Sequence, residues 1–225
     1  MPAEPPRSED ELFRRADRFA GRTLAWLAQQ EGVEVPPDQR RNKGWIGLLL
    51  ERALGATAGS AALPDFPDIG IELKSLPLDA RGKPRESTFV CTAPVNGTLA
   101  PSWEQSWVRK KLSRVLWVPV VGDKTVPLGN RIIGAPLMWT PDAEEAGLLA
   151  QDWEDLTEYI VRGEFWLIDA RQGKVLQLRP KAANASQATW ALDEEGEWVQ
   201  VNPMGFYLRA RFTAQMIAKR FRLPG

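Results

Sequence analysis

Asp65, Glu72 and Lys74 stand in the spacing D-x6-E-x-K. Residues two apart on a β-strand project from the same face about 7 Å from each other, so Glu72 and Lys74 would act on one point, and a bend in the approach to the strand can turn Asp65 toward them. Converging carboxylates hold a hard divalent cation. A lysine beside them can stabilise negative charge as it develops or orient an attacking water. This is the equipment that hydrolysis of a phosphodiester needs, because the metal neutralises non-bridging oxygens and lowers the pKa of bound water. The same three residues also suit a solvated strand face, and Asp68 competes with Asp65 as the aspartate.

Two further residues sit near this string. Glu51, in LLLERALG, has Leu48 and Leu54 as neighbours at helical spacing and reads as a glutamate at the edge of a helix that borders the core. Lys43 opens the same helix; it is either a solvated lysine or a place where a phosphate docks at a helix start.

Composition narrows the chemistry. The chain has no histidine and one cysteine, Cys91, among 225 residues, which removes Ser-His-Asp triads, Cys-His pairs, zinc ribbons and an internal disulfide. A catalytic metal must therefore rest on carboxylate oxygens, which suit magnesium, manganese or calcium. The 29 basic and 29 acidic residues cancel, so bulk electrostatics do not drive the chain onto nucleic acid. The charges are nevertheless clustered. Basic residues gather at Arg109, Lys110, Lys111 and Arg114, around Arg179 and Lys181, and from Arg209 to Arg222, whereas acids gather in 142–158. Such a molecule can hold a polyanion on one face and a protein on another. No window reaches the 18 or so apolar residues of a membrane helix. The opening MPAEPPRSEDE has no apolar stretch, so a cytoplasmic location without a secretory signal is expected.

The elements that must position these residues follow from periodicity. A tail runs to about Arg7, and Ser8 and Glu11 have capping-box spacing ahead of a first helix. Helices follow over 24–30 and 44–54, each stopped by glycine. From Ile69 the period becomes two, with Ile69, Ile71 and Leu73 on one face and Glu72, Lys74 and Leu76 on the other. With a second strand over 87–92 this predicts a long-looped hairpin. A helix at 103–112, strands at 115–120 and 131–138, and a long helix from a Thr140 cap to Arg162 come next. A hairpin of 165–169 with 175–179, a strand at 205–208 and a helix over 212–221 complete the chain. The expected class is α/β with a mixed sheet, in a single domain of two sub-lobes without a clear sequence boundary.

Several strings together resemble the MutH family of strand-nicking endonucleases: KGWIGLLLERALGATAGS (43–60), DFPDIGIELKSLP (65–77), TFVCTAP (88–94), RVLWVPV (114–120), LRPKAAN (178–184) and GFYLRARFT (205–213). The likeness covers nearly the whole chain. Pro67 and Asp68 depart from the pattern, and Asp68 would add a charge near a metal. The resemblance implies a restriction-endonuclease-like fold, with helices flanking a mixed sheet and two lobes about a DNA-binding cleft. It implies an Mg2+-dependent DNA endonuclease of mismatch repair, with Mn2+ able to substitute, that nicks the unmethylated strand at hemimethylated or unmethylated GATC sites. It also implies a monomer activated by MutL and, indirectly, by MutS.

By matching motif, the resemblance assigns Glu51, Asp65, Glu72 and Lys74 to catalysis, with the three carboxylates as metal ligands. DNA contacts fall on Lys43, Phe89, Arg179, Pro180, Lys181 and Tyr207, with Tyr207 tied to adenine methylation. The alternatives are a basic loop that touches only backbone phosphates, and core aromatics. Adenine N6 lies in the major groove, where a methyl group changes both shape and donor count, so a close-fitting Pro180 or Tyr207 can sense it. Two rival functions stand beside this: a restriction enzyme cutting both strands at GATC, or an inactive DNA-binding partner of MutL. The single catalytic string argues against the first, and intact Asp65, Glu72 and Lys74 against the second.

Overall fold

The computed structural model describes residues 3–37, 44–59, 63–96, 98, 100–123, 125–164, 167–169, 171–181 and 188–221. Lys43 and residues 182–187 lie outside the described residues. The chain forms two compact units, one of residues 1–85 with 113–140 and the other of 86–112 with 141–225.

In the first unit, helices α1 (Glu9–Asp17), α2 (Leu24–Glu31) and α3 (Trp45–Leu54) pack beside a sheet of β1 (Glu72–Leu78), β3 (Val115–Val121), β4 (Ile132–Ile133) and β5 (Leu137–Trp139). The Ser8 hydroxyl accepts the Glu11 N–H and the Glu11 carboxylate accepts the Arg7 N–H, so the spacing at 8–11 does cap α1. The predicted opening tail is packed instead: the Ala3 N–H donates to the Arg52 carbonyl, and Pro6 is buried. α3 buries Ile46, Leu49, Leu50, Ala53 and Leu54. Each large side chain of this face contributes about 1.5–3 kcal/mol of hydrophobic stabilisation, which makes α3 a firm platform against β1.

The central strand β3 is buried from Val115 to Val120 and runs parallel to β1, with Glu72 opposite Val115 and Lys74 opposite Trp117. This corrects the predicted hairpin of 69–92. β1 is covered on both faces, by Ile71 and Leu73 on one and Leu76 and Leu78 on the other, the burial expected of a parallel strand. The predicted start at Ile69 is also late-shifted, because Pro67–Ile69 form a 3-10 turn and the strand begins at Glu72. On its other side β3 pairs antiparallel with β4 and β5, which divide the predicted 131–138 strand between them. Pro119 has no N–H to offer that side. The break between β4 and β5 falls there, and the Gly134 N–H donates to the Pro119 carbonyl at 2.8 Å.

In the second unit, β2 (Thr88–Ala93), β6 (Leu176–Pro180) and β9 (Met204–Leu208) form a sheet in the order β2-β9-β6, accompanied by a hairpin of β7 (Thr189–Leu192) and β8 (Trp198–Val201). β6 pairs with β9 rather than with 165–169, where Leu167–Asp169 form no strand and Phe165 and Trp166 lie outside the described residues. The predicted 103–112 helix divides at Ser106, whose hydroxyl caps α4 (Trp107–Leu112) by accepting the Arg109 N–H. α5 (Ala143–Val161) starts from Asp142, not from Thr140: Asp142 and Glu145 make both bonds of a capping box, which outcompetes a lone threonine. The last helix, α6 (Ala210–Phe221), starts two residues before the expected boundary. The α/β class with mixed sheet pairing is as expected. Among the described residues, no helix is long and apolar enough to cross a membrane.

Candidate active site and reading face

A tight local turn brings the sequence-predicted trio together. After Asp65 the chain folds through Pro67–Ile69, and Gly70 closes the turn in the left-handed region at φ 66°, a conformation that favours glycine. Phe66 and Ile71 then bond to each other through both backbone groups. Asp65 is thereby set against the start of β1, where its Oδ2 accepts the Leu73 N–H at 2.8 Å. The D-x6-E spacing is the length of this turn. Asp68 lies exposed on the turn itself, so of the two competing aspartates it is Asp65 that bonds to β1.

Glu72 is 3% exposed, and Lys74 Nζ donates to Glu72 Oε1 at 2.7 Å. A carboxylate this deep needs a cation, since desolvating a lone charge costs several kcal/mol. Lys74 supplies one from the same strand face. Glu51 lies on α3, where its Oε1 reaches back over Gly47, 3.7 Å from where a Cβ would stand there. Asp65, Glu72 and Lys74 are thus gathered at one strand end, with Glu51 on the helix that packs against β1. Among the described residues no three carboxylates form a preassembled cation cage. The donor chemistry nonetheless suits a hard divalent cation, being carboxylate oxygen in a chain without histidine.

The second unit gathers the other predicted residues. On the solvent face of its sheet, Phe89 lies opposite Tyr207. The rings meet edge to face with centroids 5.3 Å apart. The Arg179 guanidinium lies over Tyr207 at 5.5 Å, and Lys181 Nζ over Phe89 at 5.1 Å. Arg179, Pro180 and Lys181 run along the end of β6. Burial raises the Tyr207 hydroxyl above the ordinary tyrosine range, with Arg179 pulling the other way, so the group is a neutral donor and acceptor.

Several positioning residues escape sequence reasoning. The Ser87 hydroxyl pairs with Arg179 Nη1 at 2.7 Å and Thr92 Oγ1 with Lys181 Nζ at 3.2 Å, which holds both cations in place. Asp152, 2% exposed on α5, accepts the N–H groups of Lys174, Val175 and Leu176 at 2.8, 2.6 and 2.8 Å and so fixes the entry to β6. Its signal is an acid at a core position, between Leu149 and Leu156 on the buried stripe of α5. Three residues of the C-terminal basic cluster are tied to the fold: Arg209 and Arg211 donate to the carbonyls of Gln172 and Lys174, and Lys219 pairs with Asp142, while Arg222 lies outside the described residues.

The family model for the DNA mismatch repair enzyme MutH matches residues 54–152, which include Asp65, Glu72, Lys74 and Phe89. Over almost the full length, the chain is 52% identical to the DNA mismatch repair protein MutH of Yersinia enterocolitica, across 99% of this chain and 98% of that protein. The chain belongs to the MutH family. The MutH of Serratia proteamaculans is 51% identical over 96% of this chain and 95% of its own, and that of Klebsiella pneumoniae 50% over 98% and 96%. Both the Asp65–Lys74 turn and strand and the β2-β9-β6 face therefore lie within the length over which the chain matches MutH.

Proposed function

We propose that the chain nicks the unmethylated strand at hemimethylated or unmethylated GATC sites in methyl-directed mismatch repair, by metal-dependent phosphodiester hydrolysis. The observation that carries this is the buried Glu72–Lys74 pair, with Asp65 bonded into the same strand end. Asp65 and Glu72, with Glu51 as a third carboxylate, would hold Mg2+, for which Mn2+ can substitute. When bound, the metal neutralises phosphate charge and acidifies an attacking water. Lys74 Nζ stabilises negative charge on the scissile phosphate, while its 2.7 Å contact with Glu72 Oε1 keeps it in place. Lys43 adds a phosphate contact. Arg179, Pro180 and Lys181 read base edges in the major groove, Phe89 is a further contact, and Tyr207 senses the adenine methyl. The protein acts as a cytoplasmic monomer, stimulated by MutL and indirectly by MutS.

The test is incubation with magnesium and supercoiled plasmid whose GATC sites are unmethylated, hemimethylated or fully methylated, with and without MutL. Nicked circles from the first two, increased by MutL and absent from the third, are expected. Linear product throughout would identify a double-strand restriction enzyme, and binding without cleavage an inactive partner.

A further inference from the structure

The centre of the β2-β9-β6 solvent face carries no side chain. Gly205 pairs with Thr92 on one side and Arg179 on the other, two rungs from the Phe89–Tyr207 pair, with the Cys91–Phe206 rung between. Partners directly opposite one another on a sheet share a face. Phe89 and Thr92, three residues apart, therefore face the same way, because the ladder shifts register between Phe89 and Cys91 and this bulge adds one residue. Around the bare position stand Phe89, Tyr207, Thr92 and Arg179. A Cβ at 205 would lie 2.9 Å from Phe89 Cε2 and 3.2 Å from Tyr207 Cε2. The Phe89 ring thus lies closer to the backbone of Gly205 than a side chain there would permit, and the Tyr207 ring at a distance that a side chain would make tight. Backbone freedom is not the reason for glycine here, since Gly205 is not among the residues in the left-handed region. Alanine fits its backbone; only the rings object.

We propose that Gly205 is a specificity-determining residue: its missing side chain forms the floor on which Phe89 and Tyr207 settle, and Ser87 and Thr92 set Arg179 and Lys181 around them. The proposal rests on this face being the one that reads DNA. A Cβ at 205 lifts the rings by a few tenths of an ångström and so changes the fit to a base edge without removing any contacting group.

The experiment measures cleavage rates on duplexes carrying hemimethylated GATC, fully methylated GATC or a single-base variant, for Gly205→Ala, Phe89→Ala, the double variant and Arg179→Ala. Gly205→Ala is expected to lower discrimination by roughly 10-fold. In the Phe89→Ala background, where the closer of the two rings is gone and Tyr207 has room to move aside, the same change is expected to have a smaller further effect, a coupling that independent structural damage would not produce. Native discrimination by Gly205→Ala, or additive losses in the double variant, would overturn the proposal. If Gly205→Ala alone folds poorly, the double variant must fold better, and failure to do so also counts against it. Arg179→Ala separates the two levels: retained discrimination there defeats the reading of the face and the proposal with it. Lost discrimination there beside an unaffected Gly205→Ala defeats only the proposal.

Discussion

Lys74→Ala lowers the nicking rate by roughly 10²–10³-fold or more while DNA binding is kept, as expected for removing a preorganised group that stabilises developing charge. The ammonium sits 2.7 Å from the Glu72 carboxylate on a buried strand end, so alanine also leaves that carboxylate without its partner, and breaking such a pair destabilises by about 3–5 kcal/mol. Lys74→Arg distinguishes the two effects. It restores a cation beside Glu72 and should recover most of the stability. A planar, five-donor guanidinium does not reproduce a compact ammonium at a reacting phosphate, so the rate should remain well below native. Single-turnover cleavage together with thermal melting of both variants checks this. Native rates in a folded Lys74→Ala protein would remove Lys74 from the chemistry.

Asp152→Ala lowers the stability of the folded protein by roughly 3–5 kcal/mol, with no residue of the proposed catalytic site altered. The side chain accepts three successive backbone N–H groups, and each buried donor left without a partner costs about 1–3 kcal/mol, not fully additively. The chain cannot relax easily there. Gly173 sits at φ 79°, and a Cβ on it would stand 1.9 Å from the Leu176 carbonyl oxygen, so the turn has one tight conformation. Asp152→Asn keeps the size and one acceptor oxygen, and should lose distinctly less. Urea denaturation followed by circular dichroism gives both values. A loss below about 1 kcal/mol for alanine would mean that the turn holds without the clamp.

How far these features could be read from the sequence depends on how far away their partners lie. Helices α1 to α3 were legible because their caps and apolar stripes are local, and α5 was legible in everything but its first residue, where two capping types stand two apart. The polar alternation of Glu72 and Lys74 was also legible. The partner of β1 was not, because it is β3, paired through a non-local crossover, and a run buried on both faces carries no mark of its neighbour. Spacing left Asp65 and Asp68 equal, and the 3-10 turn separates them by exposing one and bonding the other to β1. Glu51 reads as an ordinary helix-edge glutamate at its own position, and only the family resemblance raised it. The holders of the β2-β9-β6 face, Ser87, Thr92, Gly205 and Asp152, are small or polar residues whose roles exist only once remote strands meet.

The most direct measurement is cleavage of an end-labelled duplex with one hemimethylated GATC, followed over a magnesium titration for the native protein and Glu72→Gln. The expected result is saturable cutting of the unmethylated strand alone by the native protein, and roughly 10²-fold or greater loss in Glu72→Gln despite retained DNA binding. Native-rate cutting by Glu72→Gln, or native cutting that needs no divalent cation, would contradict a metal-dependent centre built on Asp65, Glu72 and Lys74.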